Sequence, residues 1–165
     1  MIIQGFDPIA APDAQRLILG SMPGVASLEA GQYYAHGRNA FWPIMGELFG
    51  AGPEKPYAER QAILMENGVA VWDVLQLCRR EGSLDANIKA EVANDFSDFF
   101  ATHPKIRRIA LNGGKAATSF DKYAAVYSPA GAVSTAVPST SPAYASMTFE
   151  RKCELWRAAL LGPVA

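Results

Sequence analysis

The chain has 165 residues, half of them apolar, and a formal net charge of -1. That size suits one continuous core, and we expect a single domain over residues 1–165. Fifteen Lys and Arg against sixteen Asp and Glu exclude a broad electrostatic attraction for nucleic acid, although a few local contacts could still hold a short stretch of phosphates.

The cysteines and the N-terminal segment exclude several further classes of protein. Cys78 and Cys153 lie far apart without a CxxC spacing, so they cannot form a structural zinc site or an iron–sulfur cluster. The N-terminus has no basic region before its first apolar residues, and no apolar run approaches the roughly 20 residues of a membrane helix. We therefore predict a cytoplasmic protein with reduced thiols and no membrane segment.

Short apolar runs and amphipathic segments alternate along the chain. In chain order they predict a strand at Leu17–Leu19, helices at Ala40–Phe49 and Tyr57–Glu66, a strand at Val69–Trp72, a helix at Asp95–Thr102, strands at Ile109–Leu111 and Val133–Val137, and a last helix from about Thr148. The connections are long enough for helical crossovers, which favours parallel pairing. We therefore predict an α/β fold in which helices cover both faces of a mainly parallel four-stranded sheet.

The residues that follow each predicted strand are the most informative about function, because ligands bind beyond the carboxyl ends of the strands in an open parallel sheet. The four ends read Gly20–Gly24, Asp73 with the loop Cys78–Ser83, Asn112–Lys115, and Pro138–Pro142. We expect the functional site at this edge of the sheet.

The first strand end, Gly20–Gly24, places Ser21 and Met22 between residues that let the backbone turn tightly. Such a loop could aim free backbone N–H groups at the carbonyl of a base or at a water. An ordinary strand-ending turn is an equally good interpretation of these residues.

The segment Tyr33–Trp42 collects aromatic rings, an imidazole, a guanidinium and a carboxamide in a predicted loop. Loops rich in such groups often bind ligands. Tyr34 could stack on a flat ligand, whereas Phe41 and Trp42 suit packing. Asn39 could orient a water or cap the following helix, and taken alone its residue type favours the cap.

The third strand end, Asn112–Lys115, lacks the GxxxxGK[ST] spacing of a phosphate-binding loop, so we reject a nucleotide triphosphatase. A carboxamide followed by two glycines suits close approach to the edge of a planar base, since an amide offers one donor and one acceptor side. A simple helix-initiating turn is the alternative.

The fourth strand end carries three hydroxyls, Ser139, Thr140 and Ser141, between Pro138 and Pro142. A loop stiffened by proline suits hydrogen bonds to backbone phosphates. Tyr144 could then fill the space left by an extruded base, although an ordinary rigid surface loop has the same composition.

Few side chains can act as bases at neutral pH. Only His36 and His103 are imidazoles, and His103 precedes Pro104 at a predicted helix end, which favours a solvent-side position. Asp73 could hold a water or a neighbouring loop, and a satisfied strand-end carboxylate is the alternative. No residue pair has the spacing of metal ligands.

The strand-end motifs together resemble the uracil-DNA glycosylase superfamily, specifically its hypoxanthine (deoxyinosine) DNA glycosylase branch, with the mismatch-specific uracil glycosylases as near relatives. The motifs that carry the resemblance are GSMPG, YAHGRNAFW, LNGGKA and PSTSPA, which span nearly the whole chain in this order. The resemblance implies a three-layer α/β/α fold and a monomeric DNA repair enzyme of base excision that needs no cofactor.

The resemblance also implies the role of individual residues. The mismatch-specific enzymes carry a catalytic Asn where this chain has Met22, so the role passes to the downstream Asn39, as in the hypoxanthine branch. Tyr34 matches the aromatic that stacks on the flipped base, and Asn112 matches a residue that contacts its edge. The implied base-binding set is Gly20, Ser21, Met22, Tyr34 and Asn112, and the implied DNA-binding set is Lys115, Ser139, Thr140, Ser141 and Tyr144.

The chain departs from its relatives at two positions that bear on this assignment. Gly37 replaces a common Pro in the loop of Asn39, and Tyr144 replaces a smaller polar residue. The predicted activity is hydrolysis of the N-glycosidic bond of a deaminated base, hypoxanthine first, leaving an abasic site. The alternatives are a uracil or G·T/U mismatch glycosylase of the same fold, a non-catalytic nucleotide- or DNA-binding domain, and a small-molecule enzyme using Lys115.

Overall fold

The computed structural model describes residues 2–162; Met1 and residues 163–165, at the ends of the expected domain, lie outside the described residues. Its strands are β1 (Ile2–Gln4), β2 (Arg16–Gly20), β3 (Val69–Asp73), β4 (Leu75–Arg79), β5 (Lys89–Ala93), β6 (Arg108–Asn112) and β7 (Val133–Val137). Its α-helices are α1 (Val25–Ala30), α2 (Phe41–Phe49), α3 (Tyr57–Glu66), α4 (Phe96–Thr102), α5 (Gly114–Tyr123) and α6 (Phe149–Leu161).

The four predicted strands form one parallel sheet in the spatial order β3-β2-β6-β7. In its register Arg16 pairs with Val69 on one side and with Arg108 on the other, and Arg108 pairs with Val133. The predicted α/β fold with a parallel four-stranded sheet is therefore confirmed. All four carboxyl ends lie along one edge, and the strand order reverses between β2 and β6, where such sheets bind ligands.

Helices cover both faces of this sheet. Successive strand residues point to opposite faces, so Leu17 and Leu19 pack with the phenylalanines of α4 and with Phe120 of α5. Ile18 packs on the other side, with apolar residues of α2, α3 and α6, among them Trp156. The strands read as continuous apolar runs because both faces are buried.

The predicted helices are confirmed as α2, α3, α4 and α6, with starts that differ from the predictions by at most one residue. Asp95 precedes α4 and Thr148 precedes α6, and each side chain accepts an N–H of the first helical turn. The helix-initiating turn considered at Asn112–Lys115 is also present, because α5 begins at Gly114. Helix α1 was not predicted, since it has only six residues and too few turns for a periodic pattern.

A second, antiparallel sheet of the order β1-β4-β5 was not predicted. Only Val74 separates the end of β3 at Asp73 from the start of β4 at Leu75, so the chain passes from one sheet to the other almost without a loop. β5 has the sequence KAEVA, its residues are mostly exposed, and its pairing with β4 contains register shifts. Such a strand lacks the apolar run or clean alternation by which strands are recognised.

Two structural findings concern the classes of protein that the composition excludes. Within residues 2–162, no helix combines the length and the apolar character needed to cross a membrane. Cys78 and Cys153 are free thiols that pack at opposite faces of the sheet, where they act as small apolar side chains.

Candidate active site

A pocket lies beyond the carboxyl ends of the parallel strands, and we call it the strand-end pocket. It is lined by the predicted catalytic residue Asn39, by the predicted base-binding residues Gly20, Ser21, Met22, Tyr34 and Asn112, and by the predicted DNA-binding residues Ser139, Thr140 and Ser141. His36, Asp73 and Asp85 also line it. Segments far apart in sequence therefore meet where the strand order reverses.

Asn39 lies one residue before the N-cap of α2, Ala40, and both contacts the helix and lines the pocket. Its Oδ1 accepts the backbone N–H of Phe41 at 2.9 Å, which satisfies one of the unpaired N–H groups at the start of α2. The adjacent Ala40 N–H donates to the Thr140 carbonyl at 3.0 Å, so the segment is held against the loop Pro138–Pro142, hereafter the hydroxyl loop. The Asn39 side chain can therefore bind the start of α2 and line the pocket at the same time.

Tyr34 has an unusual backbone conformation and a buried hydroxyl. Its φ of 54° lies in the left-handed region, which non-glycine residues rarely adopt and which often marks functional sites. One face of its ring stacks on Phe41, with centroids 4.0 Å apart at 22°. Burial raises the pKa of the phenol and the Asp73 carboxylate adds to the rise, whereas the Asn112 side chain opposes it.

Asp73, the last residue of β3, places a carboxyl group in the pocket with only 4% of the residue exposed. Its Oδ2 has no hydrogen-bond partner among the described residues, so the alternative of a satisfied strand-end carboxylate is wrong. Burial raises the pKa of Asp73 to about 7, nearby Asp85 adds to the rise, and Arg80 opposes it. A buried carboxylate without partners is the typical cause of such a shift.

Gly20 leaves room for the two side chains just described. A Cβ at this position would lie 2.5 Å from Asp73 Oδ1 and 2.7 Å from the Tyr34 hydroxyl. Both distances are shorter than real Cβ contacts, so a side chain at this position would displace the Asp73 carboxyl or the Tyr34 hydroxyl from its place beside Gly20.

Asn112, at the end of β6, is engaged with the protein itself. Its Oδ1 accepts the Thr140 N–H and its Nδ2 donates to Thr140 Oγ1, both at 3.0 Å. Thr140 is only 1% exposed, so its side chain holds the hydroxyl loop in place instead of pointing to solvent. Within residues 2–162, the two neighbouring serines use their Oγ atoms only as acceptors, from Ser141 N–H to Ser139 and from Ala143 N–H to Ser141. Their hydroxyl protons donate to no described residue and are available to a ligand.

The loop after β4 contributes two residues that sequence analysis missed. Ser21 donates to Asp85 Oδ1 at 2.6 Å, and the buried Arg80 donates to the carbonyls of Pro23 and Gly82. These bonds hold the first strand-end loop against the loop that follows β4. The arginine pair in Cys78–Ser83 is the only sequence signal for this contact, since Asp85 lies beyond that segment.

Two predicted DNA-binding residues lie outside the strand-end pocket. The Lys115 ammonium forms an ion pair with Glu91 at 2.6 Å. Tyr144 is 39% exposed, and its carbonyl accepts the buried Lys152 ammonium at 2.7 Å. His103 lies at the end of α4, half-buried, with its ring stacked on Phe99, so it is less solvent-facing than expected.

Comparisons with known proteins identify the family of this chain. The family profile described as the uracil DNA glycosylase superfamily matches residues 8–161. The hypoxanthine DNA glycosylase of Methanosarcina acetivorans is 34% identical over 159 residues, 96% of this chain and 98% of that protein. The protein of the same name from Methanosarcina barkeri is 37% identical over 113 residues, 68% of this chain and 72% of that protein.

A solved structure supports the same conclusion. The solution NMR structure of a candidate uracil DNA glycosylase from Methanosarcina acetivorans superposes with a TM-score of 0.79 at 32% identity and covers 94% of each chain. The likeness spans both the fold and nearly the full length of the described chain. This chain therefore belongs to the uracil DNA glycosylase superfamily.

Proposed function

We propose that this chain is a monofunctional DNA glycosylase that hydrolyses the N-glycosidic bond of a deaminated base, hypoxanthine first, and leaves an abasic site in DNA. The observation that carries the proposal is the end-to-end similarity to a hypoxanthine DNA glycosylase in a chain whose Asn39 and Tyr34 line one pocket. The proposal includes a single domain that acts as a monomer on DNA in the cytoplasm, without a metal or organic cofactor.

The substrate must leave the duplex before the chemistry can occur. A base in the stack is out of reach of a pocket, so it has to be extruded, and a mismatched or damaged base is easier to extrude than a paired one. The face of the Tyr34 ring that does not pack on Phe41 is the face on which the extruded base can stack. Phe41 thus supports the stacking ring from behind.

Asn39 is proposed as the residue that orients the attacking water. Its carboxamide is fixed through the bond from Phe41 N–H to Oδ1, and the second lone pair of Oδ1 can accept a proton of the water. Fixing the water near the sugar carbon lowers the entropic part of the barrier. Water is the proposed nucleophile because no lysine occurs among the described residues that line the pocket, which makes the enzyme monofunctional.

Donors around the base stabilise the departing group. As the glycosidic bond lengthens, positive charge grows on the sugar and negative charge on the base, so donors fixed at the base favour the transition state over the ground state. The backbone N–H groups of the Gly20–Gly24 loop are the proposed donors. Arg80 and Asp85 hold that loop in position.

The hydroxyl loop is proposed to grip the DNA backbone. Ser139 and Ser141 keep hydroxyl protons that can donate to phosphate oxygens. Asn112 holds this loop through Thr140, so its contribution to substrate binding is at least partly structural. Lys115 and Tyr144 lie outside the strand-end pocket, and their contacts with DNA stay predictions.

The test is release of free base from duplexes that carry a single deoxyinosine, deoxyuridine, deoxyxanthosine or G·T mismatch, followed by alkaline cleavage at the abasic site. We expect the fastest release from deoxyinosine. Faster release of uracil or thymine would mean that one of these bases, not hypoxanthine, is the preferred substrate, and the proposed reaction would stay the same. Absence of release from every duplex would overturn the proposed activity in favour of a DNA-binding module.

A further inference from the structure

His36 lines the strand-end pocket with one ring nitrogen engaged and the other free. Its Nδ1 accepts the backbone N–H of Arg38 at 3.1 Å. A ring nitrogen that accepts an N–H carries no proton, so the ring proton of this imidazole lies on Nε2. Among residues 2–162, no group accepts the Nε2–H. His36 therefore offers one unused hydrogen-bond donor to a ligand.

The turn that carries His36 is fixed against the hydroxyl loop. The Asn39 N–H donates to the His36 carbonyl at 2.9 Å, which closes the turn. The next N–H, that of Ala40, donates to the Thr140 carbonyl at 3.0 Å. The position of the imidazole relative to the hydroxyl loop is thereby set before a ligand binds, so binding costs little ordering entropy.

His36 lies at the mouth of the strand-end pocket, whereas the base is proposed to enter its inner end. His36 is exposed, while Asp73 and Asn112, at the ends of β3 and β6, are only 4% and 9% exposed. An extruded nucleotide stays joined to both of its neighbours in the strand. When its base fills the inner end, its flanking phosphates therefore stay at the mouth, where an exposed donor can reach them.

The unused groups on this side of the pocket are all donors. The His36 Nε2–H and the hydroxyl protons of Ser139 and Ser141 lack acceptors among the described residues, and all three residues line the pocket. The exposed Arg38 on the same turn as His36 forms no ion pair within residues 2–162 and adds positive charge. A phosphate group offers only acceptors and a negative charge, whereas the edge of a base presents donors as well.

We propose that His36 binds, through its Nε2–H, a phosphate group that directly flanks the extruded nucleotide. This inference rests on the proposed function and adds a residue outside the hydroxyl loop to the groups that hold the DNA backbone. His36 and Asn39 belong to one closed turn, so a phosphate bound to His36 fixes the attached sugar relative to the proposed water-orienting side chain. His36 is thus a positioning residue for the reaction.

The experiment compares His36→Asn and His36→Gln with the unchanged protein. The asparagine oxygen can take the place of Nδ1 and accept the Arg38 N–H, but the donor at Nε2 is lost. The longer glutamine can place its amide N–H₂ where Nε2 lies and so keeps the donor. The Kd is measured for a duplex with a tetrahydrofuran abasic site, which cannot be cleaved by a glycosylase. Each phosphate flanking that site is replaced in turn by an uncharged methylphosphonate.

At one of the two positions, the methylphosphonate should weaken binding by the unchanged protein about 10-fold. His36→Asn should bind the unmodified duplex about 10-fold more weakly and lose much less on the same modification, because the bond is already absent. His36→Gln should recover most of the affinity together with the sensitivity to methylphosphonate. A role of His36 in holding the turn alone predicts the opposite order, with recovery in the asparagine variant.

His103→Asn is the matched control, since this second imidazole lies outside the strand-end pocket and its loss should leave both affinities unchanged. Normal affinity of His36→Asn, or an equal loss on modification in His36→Asn and the unchanged protein at both positions, would overturn the inference. A protein that releases base but shows either result would overturn this inference alone. An unchanged protein that releases no base and does not prefer abasic to intact duplex would overturn the proposed function with it.

Discussion

Asn112 and Thr140 share two hydrogen bonds of 3.0 Å, one from Thr140 N–H to Asn112 Oδ1 and one from Asn112 Nδ2 to Thr140 Oγ1. Thr140 also accepts the Ala40 N–H through its carbonyl. One threonine thus joins the end of β6, the hydroxyl loop and the segment that carries Asn39. The relative position of the proposed catalytic and DNA-gripping residues depends on this junction.

We predict that Asn112→Ala lowers the free energy of unfolding by about 1–3 kcal/mol, because it leaves the buried Thr140 N–H unpaired. Urea denaturation measures the change. Thr140→Val is the matched control, since it removes only Oγ1 and keeps the backbone bond, and it should cost less. Equal costs for the two variants would contradict the importance of the backbone bond.

Asn39→Ala should lower the single-turnover rate of base release by about 100-fold, because the attacking water loses its fixed acceptor. The same change should lower the free energy of unfolding by about 1 kcal/mol, because the Phe41 N–H loses its side-chain acceptor. Binding to abasic-site DNA should persist. Unchanged base release would remove Asn39 from the mechanism.

Asn39→Ser separates these two effects of Asn39. The serine hydroxyl can still accept an N–H at the start of α2, as serine commonly does at helix N-termini. Stability should therefore recover while base release stays low. Recovery of both would mean that the slow rate of Asn39→Ala arose from a displaced helix.

The parallel sheet and its helices could be predicted because their burial leaves a local pattern. Ile18 and Val71 lie within runs that are apolar throughout, since both sheet faces are covered, and α6 places Trp156 and Leu160 on one side. The strand β5 could not be predicted, because a mostly exposed strand pairing at a sheet edge carries no such pattern.

The residues of the candidate site were predictable where they directly follow a strand or, as for Tyr34 and Asn39, where they lie in a loop rich in aromatic and polar groups. Tyr34 was selected for its ring, but the direction of its hydroxyl depends on the approach of Gly20 and Asp73. The bond between Ser21 and Asp85 joins loops 64 residues apart. Asn112 was assigned to a base edge, and its pairing with Thr140, which spans 28 residues, follows only from the tertiary structure.

Gly20→Ala should reduce base release by about 100-fold, because the added methyl group would displace the Asp73 carboxyl and the Tyr34 ring from their positions in the strand-end pocket. We expect the overpacking to cost about 1–3 kcal/mol of stability as well. Gly114→Ala is the matched control, since no other group lies within 4 Å of a Cβ at that position. A Gly20→Ala enzyme with the rate of the Gly114→Ala control would contradict the role given to this close approach.

Asp73→Asn should stabilise the protein more at pH 8 than at pH 4. The pKa of Asp73 is raised in the folded state to about 7, so the folded protein binds the proton more tightly than the unfolded chain. The contribution of Asp73 to stability is therefore complete below its ordinary pKa and is lost as pH rises through the folded value. Asparagine has no such loss. Urea denaturation of both proteins across this range measures the difference, and a difference independent of pH would contradict the raised pKa.

Asp85→Asn should move to lower pH the loss of stability that Asp73 causes. Negative charge on Asp85 raises the pKa of Asp73, so its removal lowers that pKa, and the stability that the neutral carboxyl contributes is lost sooner as pH rises. The amide of asparagine can still accept the Ser21 hydroxyl through its oxygen, which preserves the contact between the two loops. Urea denaturation of the variant and the unchanged protein at a series of pH values gives the comparison. A shift to higher pH would mean that a group other than Asp73 controls the profile, because removing a nearby negative charge lowers the pKa of a carboxyl group.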